Sequence, residues 1–224
     1  MPLLDNILSV IAPHNCLVCY QEGKLVCRLC AFDAFPQLPS RCYRCKALTN
    51  DYAVCDRCRT NTSLKHVWIN TSYANTAKDL LHFFKFERAR SASSIIVESL
   101  DEFLPYFAEQ ILVVPVPTAT ERVRQRGYDQ AALLAKGLAA RRNLTYLPAL
   151  TRLTHTRQVG ASRKQRFEQL ESAFSITRPN AIKDREILLV DDVITTGATL
   201  ETLAKLLKKA GAKKVMAATF AQKL

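Results

Sequence analysis

Apolar runs in this chain are short, and they alternate with stretches where apolar positions recur every three or four residues. Residues 187–190 (Ile-Leu-Leu-Val) and 111–117 (Ile-Leu-Val-Val-Pro-Val-Pro) have the pattern of parallel strands buried on both faces. The second of these ends in prolines, which offer no ladder donor, so the chain must turn there. Residues 215–220 read as a further strand, and residues 65–70, with Val67, Trp68 and Ile69, as a short one. Amphipathic helices lie between. Residues 76–86 place Ala77, Leu80, Leu81 and Phe84 on one side, and Ile95, Ile96, Leu100 and Leu104 suit a helix ending before Pro105. One helix is expected after the prolines, running through Leu133, Leu134 and Leu138 to about Arg142. Another covers about 200–210, with Leu203, Leu206, Leu207 and Ala210 on one face and Gly211 as its stop. Strands alternating with helices predict an α/β fold with a parallel sheet and helices on both faces.

The strongest chemistry follows the strand at 187–190. Asp191 and Asp192 sit at its carboxyl end, where open α/β sheets bind ligands. Thr195, Thr196, Gly197, Ala198 and Thr199 then form a turn without bulky residues. Its hydroxyls and free backbone N–H groups make a phosphate cradle at a helix start, and Gly197 permits positive φ or close approach of an anion. There is no Walker A lysine after the glycine, and G-x-G-x-x-G is absent. A strand, a turn and a capped helix without ligand would use some of the same residue types. Two adjacent carboxylates with three threonines around a glycine favour the ligand site.

The eight cysteines form four C-x-x-C pairs: Cys16/Cys19, Cys27/Cys30, Cys42/Cys45 and Cys55/Cys58. This is knuckle spacing, in which two thiolates converge on one tetrahedral metal. Two four-cysteine zinc sites are expected, closed and structural, because four thiolates leave no open position. Sequential pairing of the knuckles and a cross-braced arrangement both fit the spacing. Disulfides would need a secreted context, which the start of the chain does not suggest, and the spacing is not that of a ferredoxin. A double zinc ribbon over residues 1–62 and a larger α/β domain over 63–224 are the expected division.

The formal net charge is +12. Two zinc–tetrathiolate units, each a net −2, lower it to about +8, which still favours phosphorylated, nucleic-acid or anionic-lipid partners. Within residues 1–62 seven Lys and Arg face five Asp and Glu, so the basic character lies elsewhere. Arg122, Arg124 and Arg126 follow a strand end, where guanidinium forks suit pyrophosphate or nucleic-acid phosphate. A solvated helix start is the plainer alternative. Lys78, His82, Lys85, Arg88 and Arg90 form a basic rim, in which His82 reads as a surface histidine. Residues 152–169 carry Arg152, Arg157, Arg163, Lys164 and Arg166 around Gly160, Ala161 and Ser162. No apolar run reaches the length of a membrane span, and a cytoplasmic location is expected.

The segment 190–199, Val-Asp-Asp-Val-Ile-Thr-Thr-Gly-Ala-Thr, resembles the phosphoribosyl pyrophosphate (PRPP) motif of type I phosphoribosyltransferases. The resemblance implies that Asp191 and Asp192 hold the ribose hydroxyls, with Asp191 orienting or activating the nucleophile. It implies that Thr195, Thr196, Gly197, Ala198 and Thr199 wrap the 5-phosphate. Pro115 and Val116 fall where that family's pyrophosphate loop lies. Residues 124–130, Arg-Gln-Arg-Gly-Tyr-Asp-Gln, resemble the R-x-R-G-[FY]-[ND]-Q signature of the ComF family (competence protein ComFC and GntX-like proteins), which joins a double zinc ribbon to a phosphoribosyltransferase domain. Around the family's flexible active-site loop this chain departs from the usual pattern. Thr156 and Gln158 stand one residue closer together, Ala161 stands where Leu is usual and Gln169 where Asn is usual, while Ala173-Phe174 matches.

The resemblance implies two structural Zn²⁺, and Mg²⁺ bound with PRPP or another phosphoribosyl compound. It also implies a late competence role in natural transformation, in uptake or handling of single-stranded DNA. Partners implied are a competence DNA helicase of the ComFA type and other transformation proteins, which would bring the chain to the inner face of the membrane. Two other functions stand beside this one. One is a phosphoribosyltransferase acting on a small acceptor, for which the residues show no nucleobase pocket. The other is a zinc-ribbon adaptor with a non-catalytic scaffold, since fold alone does not decide a reaction.

Overall fold

The computed structural model of the protein describes residues 14–86, 91–153 and 172–223. In the cysteine-rich part, β1 (His14–Asn15) and β2 (Glu22–Gly23) form a small antiparallel pair, followed by the short helices α1 (Arg28–Ala34) and α2 (Asp56–Arg59). Then come β3 (Leu64–Ser72), α3 (Asn75–Phe86), α4 (Ser91–Phe103), β4 (Leu112–Pro115), α5 (Thr120–Arg126), α6 (Gln130–Arg141) and β5 (Thr145–Tyr146). The chain continues through β6 (Leu150–Arg152), β7 (Phe174–Ile176), α7 (Pro179–Ile182), β8 (Glu186–Ile194), α8 (Ala198–Lys209) and β9 (Lys214–Gln222). The main sheet has five strands in the order β3-β9-β8-β4-β5, every neighbouring pair parallel. β6 and β7 pair antiparallel beside it.

The unbroken apolar runs exist because this sheet is covered on both faces. Leu188, Val190, Met216, Ala218 and Phe220 face α3, α4 and α6, where they pack with Leu80, Phe84, Ile96, Leu100 and Leu134. The alternate residues Ile187, Leu189, Val215 and Ala217 face α8 through Leu200, Leu203 and Leu207. Successive side chains of a strand point to opposite faces, so one apolar run feeds two cores.

Two departures from the expected layout shape the ground around the carboxylates. β8 does not end at Val190 but runs on through Asp191, Asp192 and Val193 to Ile194, paired along that extension with β9. On its other side β4 stops at Pro115, opposite Val190, and the last link is Val116 N–H to Val190 C=O at 3.0 Å. Pro117 has no N–H to continue the ladder. The carboxylates therefore stand at a step in the sheet, where one strand outruns its neighbour. The helix expected after the prolines is two helices. Gly127, at φ 83, closes α5 with a left-handed cap, its N–H bonded to Val123 C=O at 2.8 Å. Asp129 opens α6 by accepting from Ala132 N–H.

The outer edge of β3 is covered by the cysteine-rich part. Leu38 N–H bonds Asn70 C=O, Val54 N–H bonds Lys65 C=O and Val67 N–H bonds Tyr52 C=O, at 2.8 to 3.0 Å. An open edge would be a template for pairing with another chain. The two arginines at the end of α6 are likewise engaged within the fold. Arg142 is tied to Asp101 by Nε–Oδ1 at 2.7 Å and to Leu104 C=O at 2.9 Å, and Arg141 Nε reaches Asp101 Oδ2 at 3.1 Å.

Candidate ligand site and metal centres

A cleft of about 510 Å³ opens at the step between β4 and β8. Asp191 and Asp192 reach it from β8, and Thr195 and Thr199 from the turn into α8. Val116, Pro117 and Thr118 line it beyond β4, Arg122 and Arg126 from α5, and Lys85 from α3. Tyr73, Gln130, Arg152 and Lys223 also line it. Of the residues singled out in the sequence, Asp191, Asp192, Thr195, Thr199, Val116, Arg122 and Arg126 thus meet around one space. Pro115 is buried in β4, and Arg124 is exposed away from the lining. Thr196, Gly197 and Ala198 also lie outside the lining; Thr196 Oγ1 turns back to Ala198 N–H at 3.4 Å.

The cleft is short of negative charge. Five cationic side chains face two carboxylates. Burial pushes the Arg126 guanidinium below its usual range, and the like charge of Arg122 adds to this. Arg152 is pushed the same way by the same two causes. Burial, and then the neighbouring Asp192 charge, hold the Asp191 carboxyl well above the usual carboxylate range. The Asp192 N–H, 2.9 Å from Asp191 Oδ1, and the Lys85 charge offset only part of this. Lys85 Nζ lies 2.5 Å from Asp192 Oδ2. Charged donors beside a carboxylate pair are groups of the kind that suit an anion and a polyol.

The Arg-Gly-Tyr-Asp-Gln signature has mostly architectural duties. Gly127 and Asp129 cap the two helices. The buried Tyr128 hydroxyl donates to Phe84 C=O, and Gln130 Nε2 is 3.5 Å from the same oxygen. That carbonyl directly precedes Lys85, so the signature fixes the helix end that delivers Lys85 to the cleft. Arg126 donates to Gln130 Oε1 and lies over the Phe86 ring at 5.6 Å. The pattern along the chain did not show this duty of Tyr128, because the partner carbonyl is some forty residues away. His82 is exposed and packs on Phe86. Arg88, Arg90, Thr156, Arg157, Gln158, Gly160, Ala161, Ser162, Arg163, Lys164, Arg166 and Gln169 lie outside the described residues.

The cysteines gather sequentially. The Sγ atoms of Cys16, Cys19, Cys27 and Cys30 lie within 4.8 Å of one another, and so do those of Cys42, Cys45, Cys55 and Cys58. Cross-bracing is thereby excluded. None of the eight is in a disulfide. Cys19 and Cys27 Sγ are 3.8 Å apart and Cys45 and Cys55 Sγ 3.5 Å. Four sulfurs about 2.3 Å from a tetrahedral zinc stand about 3.8 Å apart, so both clusters fit that ion. Burial raises the Cys16 thiol, but the N–H groups of Cys19, Cys27 and Val18 outweigh it and bring it down to about 6. Cys42 is brought to about 6 in the same way, against burial, by the N–H groups of Cys45, Cys55 and Arg44. Cys30 is pushed up to about 12, first by sharing a proton with Cys27. Clusters this crowded cannot carry four thiolates without a cation, which a divalent metal supplies.

The second cluster touches the turn into α8, a link without a signal in the sequence. Tyr43, between Cys42 and Arg44, donates its hydroxyl to Glu201 Oε2 at 2.7 Å and stands 2.8 Å from Thr62 Oγ1. Thr62 donates to the same carboxylate oxygen, and Ser63 N–H reaches Glu201 Oε1 at 3.0 Å. Burial, together with the Glu201 carboxylate and against the Thr62 hydroxyl, holds the Tyr43 phenol above its usual range, so it stays a donor.

Residues 123–224 match the phosphoribosyl transferase domain family. Over 213 residues the chain is 30% identical to competence protein ComFC of Streptococcus pneumoniae, covering 94% of this chain and 82% of that protein. It is 29% identical over 217 residues to DNA utilization protein YhgH of Escherichia coli O6:H1, covering 91% and 94%. A 106-residue stretch is 41% identical to competence protein F of Haemophilus influenzae, spanning 46% of each chain.

Proposed function

Because this chain belongs to the ComF family of competence proteins, we propose that it binds a phosphoribosyl diphosphate in the cleft and serves the handling of incoming single-stranded DNA. The observation that carries the ligand half is the joining, around one space, of a carboxylate pair, two threonines at a helix start and five cations. In this reading Thr195, Thr199 and the free N–H groups of the first turn of α8 take the 5-phosphate. Thr196, Gly197 and Ala198 shape that turn. Asp191 and Asp192 accept hydrogen bonds from the ribose diol through their carboxyl oxygens. Arg122, Arg126 and Lys85 take the diphosphate, and Val116 supplies its floor beyond Pro115. Mg²⁺, when bound with the ligand, would neutralise diphosphate oxygens, and the hard carboxylate oxygens of Asp191 and Asp192 fit it. The cysteine-rich module with its two four-thiolate centres (residues 1–62) and the larger body (63–224) act as one unit, with the module bracing the edge of the sheet.

The DNA half rests on family membership and on the basic balance of the chain. Arg124, exposed and outside the cleft lining, is free in this reading to meet a nucleic-acid phosphate. In this reading the protein works beside a DNA helicase and other uptake proteins on the inner side of the membrane. Among the described residues no helix is long and apolar enough to cross one.

Calorimetric titration of PRPP with Mg²⁺ separates the parts. Wild type is expected to bind, and the double variant Asp191→Asn, Asp192→Asn to lose at least tenfold in affinity. No binding by wild type refutes the ligand site. Single-stranded DNA affinity is expected to fall steeply with salt; absent or salt-insensitive binding refutes direct electrostatic contact.

A further inference from the structure

Gly197 lies at the centre of the turn proposed to take the 5-phosphate, and it is buried rather than open to the cleft. Its φ of 77 is one reason for glycine there. The other is the Tyr43 ring, which covers it. A Cβ at position 197 would come 2.8 Å from Tyr43 Cε2 and 2.9 Å from Cδ2, closer than side chains pack. The back of the turn is therefore shaped against an aromatic ring from the cysteine-rich part.

Two hydrogen bonds of its hydroxyl, to Glu201 and to Thr62, hold that ring in place. Its hydroxyl is bonded to Glu201, in the first turn of α8, and Thr62 and Ser63 close the other sides of the same carboxylate. Glu201 and Tyr43 are 8% and 5% exposed, so these bonds are made away from water, where an unmatched group is expensive to leave. The backbone that carries Tyr43 is the knuckle itself, with Cys42 immediately before it and Cys45 two residues after it. A knuckle this short has little core of its own and takes its shape from its metal.

We infer that Tyr43 is a positioning residue for the 195–199 turn, and that metal at Cys42, Cys45, Cys55 and Cys58 is linked through it to ligand affinity. The inference rests on the phosphoribosyl reading of the cleft. Linkage is reciprocal, so ligand in the cleft should also slow loss of zinc from this centre.

The test uses the full chain and two readouts, one free of ligand. By NMR, the α-protons of Gly197 beneath the Tyr43 ring are expected upfield in wild type, and shifted in both Tyr43→Leu and Cys45→Ala. By calorimetry with PRPP and Mg²⁺, Tyr43→Phe is expected to keep two zinc and lose about fivefold in affinity, the worth of one hydrogen bond. Cys45→Ala is expected to keep one zinc and lose more. Arg142→Ala, which breaks the remote contacts to Asp101 and Leu104, is the control for general loss of stability and keeps wild-type affinity. Wild-type affinity in Tyr43→Phe and Cys45→Ala overturns the inference. So does an equal loss in Arg142→Ala, or a Gly197 signal unmoved by either variant. If Cys45→Ala does not fold, Tyr43→Phe decides. If wild type binds no PRPP, the cleft reading fails by itself, and the Gly197 signal still decides whether the knuckle shapes the turn.

Discussion

Asp191 is a buried carboxyl held at a cost to the stability of the fold. Burial and the neighbouring Asp192 keep its proton on well above the usual carboxylate range. Between about pH 4, the ordinary carboxylate value, and that raised value, the folded chain holds a proton the unfolded chain has lost. Stability therefore declines as pH rises through this window and levels off above it. Asp191→Asn is expected to remove this slope and to raise the melting temperature of the ligand-free protein near neutral pH. Thermal unfolding of both proteins from pH 4 to 8 checks it, and parallel curves would refute it. Both carboxylates were legible in the sequence, because they follow an unbroken apolar strand. The partner Lys85 was legible only as part of a basic rim, since nothing local says which lysine of a helix ends beside a distant aspartate.

Element boundaries carried much of the site. The strand at 187–190 and the prolines at 115 and 117 could be read in order along the chain, yet the step they create could not. It arises because β8 keeps its ladder with β9 after β4 has lost its donors. The break between α5 and α6 was hidden for a related reason: an apolar pattern passes over a left-handed residue without interruption. Tyr128 bonds α6's start to α3's end, and this contact aims Lys85. Tyr128→Phe is expected to destabilise the fold by about 1 kcal/mol and to weaken PRPP binding through Lys85. Chemical denaturation and calorimetry on the same preparation measure both. A loss of stability with unchanged affinity would confine Tyr128 to architecture.

At the level of the molecule, the cysteine-rich part is bound into the domain it precedes. It covers the β3 edge with backbone hydrogen bonds and places Phe35 against Phe220 at 5.1 Å in an edge-to-face contact. Metal analysis after denaturation is expected to return two zinc per chain. Chelation is expected to uncover the β3 edge and turn the protein toward aggregation, followed by light scattering. One zinc per chain, or a chelated protein that stays monomeric with an unchanged melting temperature, would contradict this brace.

Spacing and order along the chain were enough for the α/β architecture, the thiolate pairs and the carboxylate–threonine segment, because each rests on neighbours in sequence: a periodic face, a C-x-x-C bite, a strand running into a turn. Pairing of the knuckles, the step at Pro115, the partner of Lys85 and the seat of Gly197 under Tyr43 all join residues far apart in the chain. They came into being only when the sheet closed, since no local pattern encodes which distant side chain will fill a given space.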